Sequence, residues 1–417
     1  MVDKMNIMKD SGAKWIGEIP TYWKSDKLKY HLQRKEPKNP GDMTVLSLYR
    51  ELGVIPKDSR DDNHNMTSED TSKYKYVKPG NFVVNKMKAW QGSVAVSDYE
   101  GIVSPAYYVY EFTDNLYYKR YFHYLLRGCY KDEFMRLSGG MRVGQWDLSS
   151  EDLDNTLVII PPIDEQREIA EFLDKKCEEV DGLIVDIQTQ IDTLEQYKRS
   201  TITEAVTKGL NPTAEMKDSN IQWVGKIPTH WESVRIGALY QVRNQKVSDK
   251  DFPPLSVTMK GILPQLETAA KTNDGDNRKL VRKGDFAINS RSDRRGSCGI
   301  SSYDGSVSLI NTVLTPKTEM NPRYYNWLFH TVQFADEYYK CGHGIVDDLW
   351  TTTWQEMKKI VIPVPSLDEQ EEIANYLDIK VKEIDACIEE KKQQISVLET
   401  YKKSIIFEYV TGKKEVM

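Results

Sequence analysis

Two long segments of the chain, residues 164–206 and 368–410, carry apolar residues at helical spacing. In the first segment the spacings alternate between four and three, which is typical of the seam of a coiled coil. The seam residues there are Val180, Ile184, Ile187, Ile191 and Leu194. The second segment repeats the seam at Leu377, Val381, Ile384, Ile388, Ile395 and Leu398, and Lys391 interrupts it once. Each segment is predicted to be one helix of about 43 residues, roughly 65 Å long at 1.5 Å per residue.

Prolines and acidic residues mark the start of both predicted helices. Prolines 161 and 162 precede the first helix, prolines 363 and 365 precede the second, and an Asp–Glu pair occupies each first turn. Negative charge is favoured there by the helix dipole. A helix of this length with a narrow apolar stripe requires a partner, and the other long helix is the obvious one. The alternative is that the two helices dock separately, or on another subunit.

The segments that precede the helices combine strand and helix patterns, so their predicted fold class is α+β. Short β-branched or aromatic runs separated by glycine turns predict strands. A helix is predicted over residues 116–137, and its counterpart begins at Asn321 and Pro322, an N-cap followed by proline at the first helical position. The predicted strands are residues 82–84, 94–96, 107–110 and 158–160.

The chain contains two copies of one module. The sequence WIGEIPTYW at residues 15–23 returns as WVGKIPTHW at residues 223–231, and the later matches, including both helices, lie 204 positions apart. We therefore predict a tandem duplication of a mixed α/β globular part followed by a long helix. The two helices are predicted to pair as an antiparallel coiled coil with pseudo-twofold symmetry. The predicted domains are a globular part at 1–160, a helical spacer at 161–210, a second globular part at 211–363 and a second spacer at 364–417.

The composition is that of a globular protein. Hydrophobic residues make up 39% and charged residues 29% of 417 positions, which indicates two to four domains. No apolar run approaches the roughly 18 residues that a membrane helix requires, and the N-terminal segment has no signal-peptide core. Five dispersed cysteines fit a reducing compartment. We expect a cytoplasmic protein without a membrane partner.

The net charge of −6 argues mildly against nucleic-acid binding, but the acidity is unevenly distributed. Residues 164–208 carry −6 and residues 368–414 carry −3, so the remainder of the chain carries +3. Basic residues cluster on glycine-bounded loops, from which they can reach phosphates and base edges. Both copies carry basic residues at equivalent positions, but the residue types differ. This pattern is expected of two domains that recognise different DNA sequences. The alternative is an ordinary solvated loop.

These loops provide the candidates for DNA contact. In the first copy they are Lys86, Lys88, Trp90 and Gln91, with Arg142 and Gln145 in a second glycine-rich loop. In the second copy they are Arg291, Ser292, Arg294 and Arg295, with His343 at the position that matches Gly139. Arginine can pair bidentately with guanine and glutamine with adenine, whereas the two lysines suit phosphate. Trp90 has the weakest case, because a tryptophan in a loop is more often a packing residue.

No catalytic or metal-binding motif accompanies these loops. The sequence lacks a P-loop, a GxGxxG after a strand, the tetrad of amino-methyltransferases, HExxH and GxSxG. The six histidines show no metal spacing. We expect no catalytic residue, no cofactor and no metal on this chain, which disfavours a self-contained enzyme that methylates or cleaves DNA.

The duplicated motifs resemble the specificity (S) subunits of type I restriction–modification systems, the HsdS family. The resemblance covers essentially the whole chain. The resemblance rests on the two opening motifs at residues 15–23 and 223–231, on the helix starts PPIDEQ and PSLDEQ, and on the motifs VKPGNFVVNKMKAWQG and NSRSDRRGS in the globular parts. It implies that each globular part is a target recognition domain that reads one half of a bipartite DNA sequence, and that the helices act as a ruler for the spacer.

The resemblance also implies partners. Two methyltransferase (M) subunits would bind the S subunit, and restriction (R) subunits would join that complex. Adenine-N6 methylation and ATP-driven cleavage belong to these partners, with S-adenosylmethionine, ATP and Mg²⁺ bound there and not on this chain. A standalone or decoy DNA-binding protein without working partners is the alternative function. A purely structural coiled-coil protein is disfavoured by the two basic, divergent globular parts.

Eight residues that the two copies share are candidates for the subunit interface. They are Trp15, Trp23, Gln166 and Glu168 in the first copy and Trp223, Trp231, Gln370 and Glu372 in the second. Their identity across the copies argues against reading different DNA sequences. Core packing is the alternative for the tryptophans, and solvated helix surface is the alternative for the Gln and Glu residues.

Overall fold

The computed structural model describes residues 7–50, 52–59, 70–140, 146–265, 275–291, 295–344 and 350–416. The chain divides into two compact units, and each unit contains one globular part and segments of both long helices. Unit 1 comprises Met1–Ile187 and Gln393–Met417, and unit 2 comprises Gln188–Lys392. The domain limits placed at residues 160, 210 and 363 stay a prediction. Among the residues that the structure describes, no helix has the length and apolar character needed to cross a membrane.

The globular part of unit 1 is built on an antiparallel four-stranded sheet. Its strands are β1 (Met8–Asp10), β2 (Glu18–Pro20), β3 (Lys24–Lys27), β4 (Leu32–Lys35), β5 (Leu46–Tyr49), β6 (Gly53–Pro56), β7 (Lys75–Val77), β8 (Phe82–Asn85), β9 (Val94–Val96), β10 (Gly101–Val103), β11 (Tyr107–Phe112) and β12 (Leu157–Ile160). Its helices are α1 (Lys119–Cys129), α2 (Lys131–Leu137), α3 (Ser150–Asp154) and the long α4 (Ile163–Lys208). The sheet order is β4–β11–β8–β9, and β1–β2, β3–β12, β5–β6 and β7–β10 form antiparallel pairs.

Apolar side chains cover both faces of this sheet. Phe82 and Val84 belong to the larger core, where the Phe82 ring meets Phe122 of α1 edge-on at 5.2 Å. Val83, which points the other way, belongs to a second core with Leu46 of β5. Because β8 is buried on both faces, it appears in the sequence as a continuous apolar run. The four predicted strands are confirmed.

The helix predicted over residues 116–137 is wrong as a single element. It is two helices, α1 and α2, that meet at Tyr130, where the backbone φ and ψ are −99° and −1°. The Tyr130 ring is fully buried, and its hydroxyl donates to the Leu157 carbonyl at 2.9 Å. This tertiary anchor holds the chain at the bend.

Unit 2 repeats the same design. Its strands are β13 (Met216–Ile221), β14 (Gly225–Pro228), β15 (Glu232–Arg235), β16 (Tyr240–Val242), β17 (Lys246–Val247), β18 (Leu255–Thr258), β19 (Gly261–Pro264), β20 (Arg278–Val281), β21 (Phe286–Asn289), β22 (Cys298–Ile300), β23 (Gly305–Val307), β24 (Asn311–Pro316) and β25 (Val361–Val364). Its helices are α5 (Ile236–Leu239), α6 (Pro322–Phe329), α7 (Val332–Lys340), α8 (Trp354–Met357) and the long α9 (Leu367–Val410). The four-stranded order β16–β24–β21–β22 corresponds to β4–β11–β8–β9. The predicted start of α6 is confirmed, because the Asn321 side chain accepts from the Arg323 amide at 3.0 Å.

The two long helices pack against each other within unit 1, and they run antiparallel there. The rings of Phe172 on α4 and Tyr409 on α9 lie 4.4 Å apart. Further along α4, Asp181 accepts from Lys402 Nζ at 2.6 Å. Residue numbers rise along α4 as they fall along α9, so the predicted antiparallel pairing is confirmed in this unit. The seam residue Val180 is 4% exposed, as an apolar stripe between two helices should be.

Unit 2 shows the same pairing with different side chains. Lys198 Nζ donates to Asp385 at 2.6 Å, and Lys391 Nζ donates to Gln190 at 2.5 Å. The interruption of the second seam by Lys391 therefore provides a polar contact between the helices. At 46 and 44 residues, α4 and α9 are slightly longer than predicted.

Each globular part is also bound to the end of the helix that does not follow it directly. In unit 1 the Tyr121 hydroxyl donates to the Val410 carbonyl of α9 at 2.7 Å. In unit 2 the Tyr324 hydroxyl donates to the Val206 carbonyl of α4 at 2.9 Å. All four residues are fully buried, so each core is completed by a helix end that is distant in sequence.

Candidate nucleic-acid interface

Three backbone segments join at the predicted recognition loop of unit 2. The His343 amide donates to the Thr351 carbonyl at 3.0 Å, and the Thr351 amide donates back at 2.9 Å. Arg291 forms a bridge with the same Thr351, and the Thr352 amide donates to the Ser290 carbonyl at 2.9 Å. Arg291 and His343 are therefore brought together at the end of β21. Ser292 and Arg294 lie outside the described residues.

Arg295 lies over an aromatic ring and beside a carboxylate. Its guanidinium carbon lies 3.6 Å from the centre of the Tyr339 ring. The Tyr339 ring in turn lies against Trp350, with ring centres 5.4 Å apart and ring planes tilted by 31°. Asp336 lies 3.4 Å from one guanidinium nitrogen. About half of the Arg295 side chain stays exposed. A cation over an aromatic face loses little freedom when it engages a ligand, and guanidinium keeps its five donors in one plane.

Unit 1 joins the equivalent three segments. Gly139 and Asp147 exchange backbone hydrogen bonds at 3.2 and 2.9 Å, as His343 and Thr351 do in unit 2. The Leu148 amide donates to the Lys86 carbonyl at 3.0 Å. The Lys86 ammonium pairs with the Asp147 carboxylate at 2.9 Å, and this hydrogen bond raises the pKa of Lys86. The predicted match of His343 with Gly139 is confirmed.

Three further candidates of unit 1, Lys88, Trp90 and Gln91, lie on the turn between β8 and β9. The half-buried Trp90 ring meets Trp146 at 5.6 Å, and its indole nitrogen donates to the Met87 carbonyl at 3.1 Å. The Gln91 side chain accepts from Arg50 Nη2 at 2.7 Å. Lys88 is exposed. Arg142 and Gln145 lie outside the described residues.

Sequence reasoning missed several residues of these surfaces, namely Arg50, Trp146, Asp336, Tyr339 and Trp350. One signal was available, because Trp146 and Trp350 occupy matching positions in the two copies. Asp336 also matches an identical residue, Asp132, in the first copy. Arg50 and Tyr339 differ from their counterparts and have no local pattern that marks them. Whether any of these side chains contacts DNA stays a prediction.

The second tryptophan of each opening motif lies in the core. Trp23 and Trp231 are fully buried, and their indole nitrogens donate to Glu165 and Glu369 in the first turns of α4 and α9, each at 3.1 Å. Burial raises the pKa of Glu165, which the tryptophan hydrogen bond offsets only partly. For Glu369 burial acts in the same direction, but hydrogen bonds led by that from His230 outweigh it and lower its pKa. Core packing, the alternative interpretation, describes both tryptophans.

The two glutamines fasten the helix starts to the globular parts. Gln166 is fully buried, accepts from the Tyr118 amide at 2.8 Å and donates to the Leu116 and Pro161 carbonyls, each at 2.8 Å. Gln370 repeats the arrangement with the amide of Asn321 at 2.9 Å. These buried side chains offer no surface to a partner.

The other four interface candidates are accessible. Glu168 and Glu372 are exposed on the long helices. Trp15 and Trp223 are half-buried and meet aromatic rings of their own units edge-on, at 5.6 and 6.0 Å. A subunit contact at these four residues stays a prediction.

The fold and the paired loops define a class of protein in which two recognition modules are duplicated in tandem, each followed by a long helix. Residues 32–196 and 228–399 match the model of the type I restriction modification DNA specificity domain. The chain belongs to this family and is a type I restriction–modification specificity subunit with two tandem recognition domains.

Similar proteins agree with this assignment. A putative type I restriction enzyme MjaX specificity subunit from Methanocaldococcus jannaschii is 27% identical over 309 residues, covering 71% of this chain and 68% of the relative. The type I restriction enzyme MjaVIII specificity subunit of the same organism is 25% identical over 378 residues, covering 82% and 83%.

Two solved structures share the fold. A chain from a study of complex assembly and conformational transition in the type I R-M system matches with a TM-score of 0.70 at 16% identity, covering 95% of this chain and 99% of that one. The HsdS subunit from Thermoanaerobacter tengcongensis matches with a TM-score of 0.53 at 17% identity, covering 95% and 98%.

Proposed function

We propose that the two recognition domains of this specificity subunit read the two halves of a bipartite duplex DNA target. One observation carries the proposal. In both units the same three backbone segments join beside the same sheet strand, but the side chains on that shared frame differ. Unit 1 presents Lys86 and Trp90, whereas unit 2 presents Arg291, Arg295 and His343. A common frame with different contact residues suits one task performed on two DNA sequences.

The side chains on the two frames suit different parts of the DNA. Arg295 presents a planar guanidinium that can pair bidentately with the O6 and N7 atoms of guanine. Tyr339 and Asp336 orient it before the DNA arrives, which reduces the entropy lost on binding. Lys86 and the exposed Lys88 suit phosphates, which position the protein without specifying sequence. We expect Asp147 to release Lys86 when a phosphate replaces it.

We further propose that the long helices set the number of unread base pairs and carry the methyltransferase subunits, two per chain, with restriction subunits joining that complex. Membership of the specificity-subunit family supports partner subunits. The solved type I system to which this chain is similar was studied for its complex assembly. In this proposal S-adenosylmethionine, ATP and Mg²⁺ bind to the partner subunits, and these subunits methylate adenine N6 and cleave DNA. This chain would then contribute no catalytic residue and would act in the cytoplasm, where the DNA lies.

A base-resolution adenine methylation map of cells with and without the gene tests the recognition role. We expect one bipartite motif, methylated on both strands, to disappear when the gene is removed. An unchanged map in cells that express active partner subunits would contradict the proposal.

The ruler role has its own test. Four residues inserted into one long helix should change the number of base pairs between the half-sites and leave the half-sites unchanged. The same methylation map reads both quantities. An insertion that altered the half-site sequences would exclude the ruler.

A further inference from the structure

We propose that the tip of one β-hairpin in each unit is a second DNA-contacting element beside the recognition loop. The hairpins are β5–β6 in unit 1 and β18–β19 in unit 2. At each tip an apolar side chain would pack against bases while a neighbouring cation binds phosphate. The described tip residues are Arg50 and Leu52 in unit 1 and Met259 and Lys260 in unit 2. This inference rests on the proposed DNA-reading function.

The two hairpins have similar strands and different tips. The strands read LSLY and GVIP in unit 1 and LSVT and GILP in unit 2, and their first and last residues pair in the same register. Leu46 and Leu48 in one hairpin, like Leu255 and Val257 in the other, are buried in the small second core of their unit. Between these matched strands the sequence at the tip changes completely, which is the pattern expected of a shared scaffold that contacts different sequences.

The apolar residues at the tips are among the more exposed of the protein. Leu52 is 50% exposed and Met259 is 71% exposed. A single exposed apolar residue is ordinary on a protein surface. These two differ from that background because each lies in the tip of the same hairpin, close to a cation, although at different positions: Leu52 directly precedes Gly53, whereas Met259 directly follows Thr258. Leucine and methionine are also among the side chains that DNA-binding proteins insert between base steps.

In unit 1 the tip is fastened to the recognition loop. Arg50 Nη2 donates to the Gln91 side chain at 2.7 Å, so the hairpin and the predicted loop share a contact. The Arg127 guanidinium of α1 donates to the Arg50 carbonyl and holds the backbone of the tip. A duplex bound at Gln91 would therefore lie within reach of Leu52.

In unit 2 the hairpin lies against the strand that leaves the recognition loop. A Cβ on Gly299 of β22 would lie only 2.8 Å from the Gly261 Cα atom at the tip. The absence of a side chain at Gly299 thus permits a close approach of the two backbones. Arg295 lies three residues before β22. The tip residues Met259 and Lys260, which directly precede Gly261, therefore lie near the arginine that is the candidate for guanine recognition.

The test uses the intact chain assembled with its methyltransferase partners, and it measures binding to duplexes that carry the methylated motif. Met259→Ser should lower affinity about tenfold, the scale of one lost base contact. Lys260→Gln should reduce the slope of log K against log salt by about one, since one phosphate contact is lost. Matched controls at other exposed positions of unit 2 are Val332→Ser and Lys226→Gln, which should leave both quantities unchanged. Met259→Leu, which keeps an apolar side chain at the tip, should retain most of the wild-type affinity for the duplex.

The outcomes separate this inference from the function on which it rests. If the wild-type complex fails to prefer the bipartite motif, the proposed DNA reading itself is wrong. If it binds normally and both tip variants match it in affinity and salt slope, only the hairpin inference is overturned. If the variants instead lose methyltransferase subunits while DNA affinity per assembled complex is unchanged, the tip contacts protein and the inference is also overturned.

Discussion

Replacing Gln166 with leucine should loosen the start of α4 from the recognition domain of unit 1. The glutamine side chain is fully buried and makes three hydrogen bonds of 2.8 Å, one with an amide and two with carbonyls. Leucine fills a similar volume, so the loss comes from the unpaired backbone groups and not from a cavity. If each bond contributes about 1 kcal/mol, the free energy of unfolding of the unit falls by about 3 kcal/mol.

That loss is large enough to measure in two ways. For a unit of about 200 residues it corresponds to a drop in melting temperature of about 6–12 °C. It should also speed amide hydrogen exchange at Tyr118, whose amide loses its acceptor. Gln370→Leu removes the bonds with the Asn321 amide and the Pro365 carbonyl, so we expect a smaller loss, of about 2 kcal/mol, confined to unit 2.

The control is Glu168→Gln, two residues along the same helix, because Glu168 is exposed. It should leave the exchange rate at Tyr118 and the melting temperature unchanged. If Gln166→Leu left both quantities at their wild-type values while the methyltransferase subunits dissociated, the structural role derived for Gln166 would be refuted and direct docking would replace it.

Three further changes have defined outcomes. Tyr339→Ala should relax or change only the second half-site in the methylation map, because it removes the ring that orients Arg295; an altered first half-site would contradict this. Gly412→Ala should destabilise unit 1 by about 1–3 kcal/mol in denaturant unfolding, because φ is +69° and the new Cβ would lie 2.6 Å from a proline ring atom. Burial, and then the nearby Arg127, lower the pKa of His123 to about 3. Between pH 6.5 and 3, His123 is therefore protonated mainly in the unfolded state. Stability that is present above pH 6.5 is lost on acidification, and the free energy of unfolding falls by about 2 kcal/mol from pH 7 to 5. His123→Phe should abolish this part of the pH dependence, and a His123→Phe variant with an unchanged pH profile would contradict it.

Elements defined by local periodicity were predictable from the sequence. The long helices follow from a seam that repeats over many turns, and the strand at residues 94–96 was placed at its observed ends. The break at Tyr130 was not predictable, because the bend depends on a hydrogen bond to Leu157, whose position only the folded chain determines. Gly128, Cys129 and Tyr130 are weak helix formers, but low propensity does not by itself end a helix.

The candidate site was predictable in part, for a related reason. The match between Gly139 and His343 came from aligning the copies, and the structure confirms it. The stack of Arg295 on Tyr339 involves residues that are distant in sequence and absent from the first copy, so no repeat or motif marks it. Trp23 is identical to Trp231 in the second copy, but this identity did not show whether the residue packs in the core or docks a partner subunit. Both copies would need the same residue for either role.

The measurement that tests the central claim most directly is a selection of duplexes from a random library by the chain assembled with its methyltransferase partners. The account predicts two defined half-sites separated by a fixed number of unread base pairs, and Arg295→Ala should alter one half-site only. One continuous recognition sequence, or a substitution in unit 2 that alters both half-sites equally, would contradict it.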